Sequence, residues 1–277
     1  MKKIIWITSF PKSGNTWMRY LLANYFYNNT KKFNPKIISK IEKIHLPKDM
    51  PVRNNEGKLS INNVSNFWIP AQEKLQQGDI KFIKNHNANL KIQNNNFTTE
   101  QLTLAIIHIV RDPRDVVISS LEYWGLKSYD EMIEKICNQE FLIIYDKDNP
   151  TSIEVTGSWK VNFLSWHGSL KSIPKILIKY EDLVMDTELY FSKVINFLSE
   201  FMNFIPDQDK IKFSVKNSSF EKLSQAEDLG NFEENVQKSG KFFRKGKPNQ
   251  YKNLLNKNQI IKIENAFKRE MKYLGYL

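Results

Sequence analysis

Residues 4–17 read IIWITSFPKSGNTW, an apolar run followed directly by a polar turn that contains proline and glycine. The run from Ile4 to Ile7 is apolar without alternation, which is typical of a strand buried on both faces. After the turn, Trp17, Leu21 and Tyr25 recur at a spacing of four, which indicates an amphipathic helix. The stretch therefore predicts a buried strand, a tight loop and a helix in immediate succession.

Three further apolar runs rich in β-branched residues occur at residues 80–83, 104–110 and 176–178. The run at 104–110 is again followed by helix-like spacing, in Val116, Val117 and Leu121. Strands that alternate with helices predict an α/β fold with a central parallel sheet flanked by helices. Since no repeat and no Pro/Gly/Ser-rich linker divides the chain, we expect a single domain over residues 1–277.

Two other segments carry expectations about structure. Apolar residues between Ile260 and Leu274 follow a 3-4-4-3 spacing, which predicts one packed helix near the C-terminus. Asn-rich segments at 54–66 and 85–96 flank the second strand and are predicted to be long loops. Long loops in a compact α/β domain are often functional.

Composition excludes several classes of protein. With 18 Phe, 11 Tyr and 6 Trp, the chain is too rich in large apolar side chains for a disordered polymer. A single cysteine, Cys137, allows neither an internal disulfide nor a Cys-based zinc site, which favours a reducing compartment. The N-terminal apolar run is too short for a secretory signal, and no run of about 18 apolar residues is present. We therefore expect a cytoplasmic protein without a transmembrane segment.

The charge balance points to an anionic partner. Lys and Arg number 41 against 30 Asp and Glu, a formal net charge of +11. Nucleic acid, a membrane surface or a phosphorylated small molecule would each suit this excess. A solvated lysine surface would explain it equally well, so composition alone leaves the alternatives open.

The turn of the opening stretch has the chemistry of an anion site. Backbone N–H groups at a helix start have no partner within the helix, and the helix dipole adds partial positive charge there. The Lys12 ammonium and small polar side chains complete a cradle for a phosphate. The Walker A spacing of glycines is absent, which argues against a nucleoside triphosphatase. Taken alone, a Lys-Ser-Gly turn is also compatible with a simple helix cap.

The longer string Pro-Lys-Ser-Gly-Asn-Thr-Trp, at residues 11–17, resembles the 5′-phosphosulfate loop of sulfotransferases that use 3′-phosphoadenosine 5′-phosphosulfate (PAPS). The resemblance implies a P-loop-like phosphosulfate loop that binds the donor through Lys12, Ser13, Gly14, Asn15, Thr16 and Trp17.

Further elements of that family follow in order along the chain. Arg111 comes directly after the third apolar run, and Ser119 follows eight residues later. In the family that this chain resembles, an Arg and a Ser at this spacing bind the 3′-phosphate of the nucleotide. The alternative for Arg111 is a surface salt bridge with Asp112 or Asp115. Tyr180 opens a Tyr-Glu-Asp-Leu element after the fourth run, which the resemblance places near the adenine.

Two C-terminal segments also match. Ser218 and Phe220 lie in a Ser-Ser-Phe segment that resembles the family's adenine contact, although a helix cap would look the same. Arg244, Lys245 and Gly246 match a basic segment that closes over the nucleotide in the family. In that segment Asn249 and Tyr251 replace a Gly and a Trp, and a nucleic-acid patch is the alternative reading.

The family's catalytic base is a histidine placed directly after the second strand. His86 follows residues 80–83 and is preceded two positions earlier by Lys84, which the resemblance places among the catalytic residues. His45 resembles the base motif superficially but follows no strand. His108 lies within a predicted apolar strand and His167 within a predicted helix, so both are predicted to be structural.

The resemblance implies transfer of a sulfonate group from PAPS to a hydroxyl or amine of a small-molecule acceptor, with 3′-phosphoadenosine 5′-phosphate (PAP) as product. His86 would take the proton and Lys12 would stabilise the leaving phosphate, without a metal and without nucleic acid. The alternatives are a PAP-binding sensor that has lost turnover and a basic nucleic-acid-binding protein. Residues 54–68 and 130–151 are predicted to line the acceptor pocket, and the oligomeric state is not predicted.

Overall fold

The computed structural model describes residues 2–30, 32–44, 46, 53, 60–121, 123–144, 153–232 and 241–277. The strands are β1 Ile4–Ser9, β2 Glu42–Lys43, β3 Lys81–Asn85, β4 Lys91–Ile92, β5 Asn95–Asn96, β6 Thr103–Val110, β7 Leu142–Ile144, β8 Ile153–Val155 and β9 Lys175–Lys179. The α-helices are α1 Asn15–Tyr27, α2 Ile61–Ser65, α3 Trp68–Glu73, α4 Pro113–Leu121, α5 Tyr129–Cys137, α6 Trp159–Gly168, α7 Tyr180–Met185, α8 Thr187–Met202, α9 Gln208–Asn217, α10 Phe220–Asp228, α11 Tyr251–Leu254 and α12 Lys257–Leu274. Short 3₁₀ helices span Pro35–Lys40 and Lys74–Gln76. Within these ranges no helix is both long and apolar enough to cross a bilayer.

The central sheet of the described residues has five parallel strands in the order β2-β3-β1-β6-β9. The predicted strands at residues 4–7, 104–110 and 176–178 lie in it, and the one at 80–83 lies in it from Lys81 onward, so the predicted α/β class with a central parallel sheet is confirmed. Because the carboxyl ends of parallel strands share one edge, the segments that follow β1, β3, β6 and β9 meet at that edge.

Strand β1 explains why its apolar run does not alternate. Ile5 and Ile7 belong to an apolar cluster that includes residues of α1, α8 and α9. Ile4 and Trp6 belong to a second cluster, in which the ring centroids of Trp6 and Trp166 are 5.9 Å apart. Successive side chains of a strand point to opposite faces, so helices cover this sheet on both sides.

The structure differs from the sequence-based expectations in its polar segments. The Asn-rich segment 85–96 contains the antiparallel β4–β5 pair, and α2 lies within 54–66, where Ser60 accepts from the backbone N–H of Asn63. Residues 54–59 lie outside the described part of the chain. Strand β2 was not predicted, because two charged residues give no apolar signal. The C-terminal helix is confirmed as α12, with non-helical dihedral angles at Phe267.

Candidate active site

The loop between β1 and α1 lies at the carboxyl edge of the sheet. Gly14 has a φ of 100°, and a Cβ placed on it would lie 2.8 Å from Cδ2 of Tyr180, so the chain passes the tyrosine ring too closely for a side chain. Asn15 donates through Nδ2 to the carbonyl oxygen of Ile7 at 2.9 Å, which ties the first residue of α1 back to β1. The first turn of α1 contains no acidic residue. The local geometry thus presents a helix N-terminus at the sheet edge.

A cavity of about 500 Å³ opens at this edge. It brings together most of the site residues expected from sequence: Lys12, Gly14, Asn15, Thr16, Trp17, Lys84, His86, Arg111, Ser119, Tyr180, Phe220, Arg244, Lys245 and Gly246. Ser13 and Ser218 are completely buried and do not line it. Ser218 instead supports the wall, because its carbonyl oxygen accepts from Nε1 of Trp17 at 2.8 Å. His45 lies outside the described residues.

Arg111 lies inside the protein, with only 5% of its surface exposed. Its guanidinium carbon is 4.3 Å from the centroid of the Tyr180 ring, and Nη1 donates to the carbonyl oxygen of Lys12 at 3.0 Å. Asp112 pairs with Arg114 at 2.6 Å. This burial argues against a surface salt bridge for Arg111. Burial also raises the pKa of the Tyr180 phenol, and the nearby Arg111 charge partly offsets that rise.

The Lys12 side chain contacts two aromatic rings that sequence reasoning did not single out. Its Nζ lies 3.7 Å from the centroid of Phe242 and 4.2 Å from that of Tyr123. Such placements over ring faces are cation–π contacts. Lys12 has a φ of 64°, so its backbone adopts the left-handed conformation that the tight turn requires.

His86 is joined to the end of β1. Its Nδ1 lies 2.8 Å from the carbonyl oxygen of Ser9 and 3.3 Å from the Ser9 hydroxyl. A carbonyl oxygen only accepts, so Nδ1 of the neutral ring carries the proton and Nε2 holds the lone pair. Asn162 donates through Nδ2 to the carbonyl oxygen of His86 at 2.9 Å, which restrains the backbone as well. The ring therefore has a defined tautomer.

Lys84 forms an ion pair that the sequence did not indicate. Its Nζ lies 3.1 Å from Oε1 and 3.3 Å from Oε2 of Glu154, which is on β8. The side chains are 11% and 8% exposed, so the pair is shielded from solvent. Oε1 of Glu154 also accepts from the backbone N–H of His86 at 3.1 Å.

The basic segment that contains Arg244, Lys245 and Gly246 is held over the cavity by Asp115. The two oxygens of this buried carboxylate accept from the backbone N–H groups of Asn249, at 2.6 Å, and Tyr251, at 3.0 Å. Burial raises the pKa of the Asp115 carboxyl, and the positive charge of Arg111 opposes that rise.

The two departures from the family pattern in this segment are compatible with its path. Asn249 has a φ of 62°, the left-handed conformation that asparagine tolerates better than most residues. Tyr251 keeps an aromatic ring, which lies 4.0 Å from the guanidinium carbon of Arg114. The ring of Phe220 packs directly against Gly246. The structure therefore joins this segment to Phe220 and to α4.

The residues present fit a nucleotide that carries several phosphate and sulfate oxygens. Nε of Arg111, a residue that lines the cavity, is buried and has no hydrogen-bond partner among the described residues. A buried donor without a partner is unfavourable, and an anionic oxygen would satisfy it. The Ser13 hydroxyl is also buried and without a partner among these residues, but Ser13 does not line the cavity. Together with the start of α1 and the cations that line the cavity, Arg111 makes a candidate anion-binding site on an α/β fold.

Comparison with known proteins shows the family to which the chain belongs. The sequence profile described as the sulfotransferase domain matches residues 2–275, and the chain belongs to that family. It is 25% identical over 177 residues to Sulfotransferase 2A1 of Macaca fascicularis and 24% identical to Sulfotransferase 2A1 of Homo sapiens. In each case the match covers 60% of this chain but only 56% of the relative's length.

Solved structures share the fold at lower sequence identity. Mouse sulfotransferase SULT7A1 complexed with PAP superposes with a TM-score of 0.59 at 19% identity, covering 98% of this chain and 85% of that one. Retinol dehydratase in a complex with retinol and PAP superposes with a TM-score of 0.62 at 16% identity, covering 98% and 82%. The chain thus shares its overall fold with these two PAP-bound proteins.

Proposed function

We propose that this chain transfers a sulfonate group from PAPS to a hydroxyl or amine of a small-molecule acceptor. The observation that carries the proposal is that one cavity is lined by the Lys12 loop, by Arg111 and by His86. An anion-binding loop and a candidate base therefore face the same space. The PAP bound in structures of the same fold supports PAPS as donor and PAP as product.

The donor would be held by two groups of residues. The backbone N–H groups at the start of α1 and the Lys12 side chain would bind the 5′-phosphosulfate, with Gly14, Asn15 and Thr16 forming the loop. Arg111 and Ser119 would bind the 3′-phosphate. Trp17, Tyr180 and Phe220 supply aromatic surface for the adenine, and Trp17 and Tyr180 already lie edge to face with centroids 6.0 Å apart. Arg244, Lys245 and Gly246 would cover the nucleotide from above.

His86 has the geometry of a general base. Because Nδ1 donates to Ser9, Nε2 is the ring nitrogen that can accept a proton from the acceptor hydroxyl or amine. When bound, PAPS supplies the sulfonate group and a phosphate leaving group. Lys12 and the amides of its loop would stabilise the negative charge that develops on that phosphate, as preorganised donors do at oxyanion sites.

The acceptor would share this cavity with the donor, because part of the cavity lining is apolar. Tyr123, Trp124 and Ile143 line it, and Ile143 lies in the predicted acceptor segment 130–151. Residues 145–151 of that segment and 54–59 of the other are outside the described part. Retinol dehydratase binds retinol in one solved complex and androsterone in another, which supports a hydrophobic alcohol as the first acceptor class to test. A cytoplasmic location, the absence of metal and nucleic acid, and a single domain over residues 1–277 stay predictions.

The decisive experiment is turnover of PAPS against a panel of phenols, alkanols, sterols, amines and saccharides. We expect PAP release that depends on the acceptor, with a product heavier than the acceptor by one sulfonate group. Mass spectrometry of the product identifies the acceptor class. Tight binding of PAP without sulfonation of any acceptor would instead support a sensor that has lost turnover.

A further inference from the structure

Glu154 contacts both residues to which the family resemblance gives roles at the acceptor side. It lies on β8 and is 6% exposed. Both carboxylate oxygens pair with the ammonium of Lys84, and Oε1 also accepts from the backbone N–H of His86. One carboxylate oxygen is therefore shared by the candidate catalytic lysine and by the backbone of the candidate base.

The strand geometry explains how one carboxylate reaches both groups. Lys84 and Asn85 end β3, and their side chains point to opposite faces. Asn85 donates to the Thr8 hydroxyl at 3.4 Å on its own side, whereas Lys84 turns toward β8. His86 follows at once, so its backbone N–H reaches the same carboxylate.

The segment that carries Glu154 is itself fastened beside His86. The backbone N–H of Val155 donates to Oδ1 of Asn87 at 2.7 Å, and the N–H of Ala88 donates to the carbonyl oxygen of Val155 at 2.8 Å. Both bonds join the residue that follows Glu154 to the two residues that follow His86. The carboxylate is thus presented from a backbone that cannot shift independently of the His86 segment.

The contact between Glu154 and Lys84 is a buried ion pair, so its loss would change the local charge as well as the packing. A buried ion pair that loses one partner leaves an uncompensated charge, which is strongly unfavourable. Lys84 lines the cavity at the sheet edge, whereas Glu154 is not among the described residues that line it; both residues line a second, smaller cavity. Without the carboxylate, the ammonium would be expected to turn toward solvent or toward the anionic donor. Any effect of Glu154 on this cavity would pass through its contacts with Lys84 and with the backbone of His86.

We infer that Glu154 is a positioning residue that holds the Lys84 ammonium and the His86 backbone in a fixed relation during sulfonate transfer. The inference rests on the proposed function for its catalytic consequence. Its structural part, the shared contact with Lys84 and His86, is testable without turnover.

Two substitutions separate the ion pair with Lys84 from the hydrogen bond to His86. Glu154→Gln keeps an oxygen that can accept from the His86 N–H but removes the charge, and Glu154→Ala removes both the oxygen and the charge.

The first measurement is backbone hydrogen exchange in the peptide that contains His86. We expect Glu154→Gln to exchange at the wild-type rate and Glu154→Ala to exchange faster, because only the alanine variant loses the acceptor for that N–H. Equal exchange in all three proteins would overturn the shared contact. Thermal unfolding of each variant checks that it is folded.

The second measurement is a double-mutant cycle with Lys84→Met. We expect Glu154→Gln to lower kcat by about 10- to 100-fold, as small misplacements at an active site do, with the acceptor KM and the PAP affinity close to wild type. When Lys84→Met is already present, adding Glu154→Gln should lower kcat no further. An undiminished kcat, or an equal loss in both backgrounds, would overturn the inference.

The matched control is the substitution Glu100→Gln. The Glu100 carboxylate is exposed and accepts from the Ser172 hydroxyl, so its loss should leave kcat unchanged. Wild-type protein that sulfonates nothing would count against the proposed function. The exchange measurement would then still decide for or against the contact of Glu154 with His86.

Discussion

Nδ1 of His86 lies 2.8 Å from the carbonyl oxygen of Ser9, the last residue of β1. The loop that carries Lys12 leaves from that same residue, and Asn15 donates to the Ser9 hydroxyl at 3.3 Å. The candidate base and the candidate donor loop therefore share one attachment point. A displacement of either would be transmitted to the other through a short chain of hydrogen bonds.

This relation leads to a prediction for His86. In His86→Asn the side-chain amide can still donate toward Ser9, but it cannot take up a proton, so we expect turnover to fall by about 10²- to 10⁴-fold. PAP affinity, measured by calorimetry, should stay near the wild-type value. His86→Ala, which also loses the bond to Ser9, should be at least as slow. Substantial sulfonation by both variants would move the base to another residue.

Arg111 is predicted to recognise the 3′-phosphate. Arg111→Met should weaken PAP binding by about 10- to 100-fold, since hydrogen bonds to charged groups contribute about 1.5 to 3 kcal/mol. Adenosine 5′-phosphate, which lacks the 3′-phosphate, should bind both proteins with similar affinity. Arg111→Lys should recover only part of the loss, because an ammonium lacks the planar fork of donors. If Arg111→Met weakens the binding of PAP and of adenosine 5′-phosphate equally, Arg111 does not recognise the 3′-phosphate.

Asp115 is predicted to anchor the basic segment over the cavity. In Asp115→Asn one oxygen becomes an amino group that faces a backbone donor at Asn249 or Tyr251, so the segment should loosen. We expect faster hydrogen exchange across residues 247–252 and weaker PAP binding. Glu134→Gln, at an exposed carboxylate paired with Lys262, is the control and should change neither. Unaltered exchange in Asp115→Asn would refute the anchor.

Gly14 and Gly78 offer a matched pair for the donor loop. Both have a positive φ, of 100° and 79°, but a Cβ at Gly14 would press on Tyr180 whereas one at Gly78 meets open space. Backbone strain of this kind costs about 1 to 3 kcal/mol at either site. We therefore expect Gly14→Ala to lower stability more than Gly78→Ala and, alone of the two, to weaken PAP binding. Urea unfolding and calorimetry measure the two effects.

His108 is predicted to make stability sensitive to acid. Burial, with smaller contributions from His167 and Lys175, lowers the pKa of His108 from 6.5 to about 3. The unfolded chain takes up a proton near pH 6.5 and the folded protein does not, so stability is lost as the pH falls. Since each pH unit corresponds to about 1.4 kcal/mol per proton, wild type should lose about 2 kcal/mol more than His108→Leu between about pH 7 and pH 5. Urea unfolding at the two pH values tests this, and parallel losses would contradict it.

Much of the fold could be predicted because its signals are local. The apolar runs around Ile5 and Ile107 mark strands covered on both sides, and the turn at Lys12 marks the start of a helix. Most of the residues expected at the site line one cavity at the carboxyl edge of the parallel strands; Ser13 and Ser218 do not. Short charged β2 carried no such signal, and the sequence could not place it.

The supporting contacts of the site could not be predicted, because they join residues far apart in the chain. Lys84 and Glu154 are separated by 70 positions, and Asp115 and Asn249 by 134. A glutamate or an aspartate in a polar stretch is usually solvated, so neither residue stood out as a buried partner. Phe242 and Tyr123 beside Lys12 were likewise unremarkable as single aromatic residues.

By itself, the sequence determined the strand–loop–helix order and the tight turn at the start of α1, which follow from side-chain periodicity and backbone capping among a few neighbouring residues. The other candidate site residues were predicted from the resemblance of their motifs to those of the sulfotransferase family. Only the tertiary structure decided the tautomer of His86, the partner of Lys84 and the anchoring of the basic segment. Those depend on which distant groups are buried together, and burial makes an unpaired polar group unfavourable enough to select one specific partner.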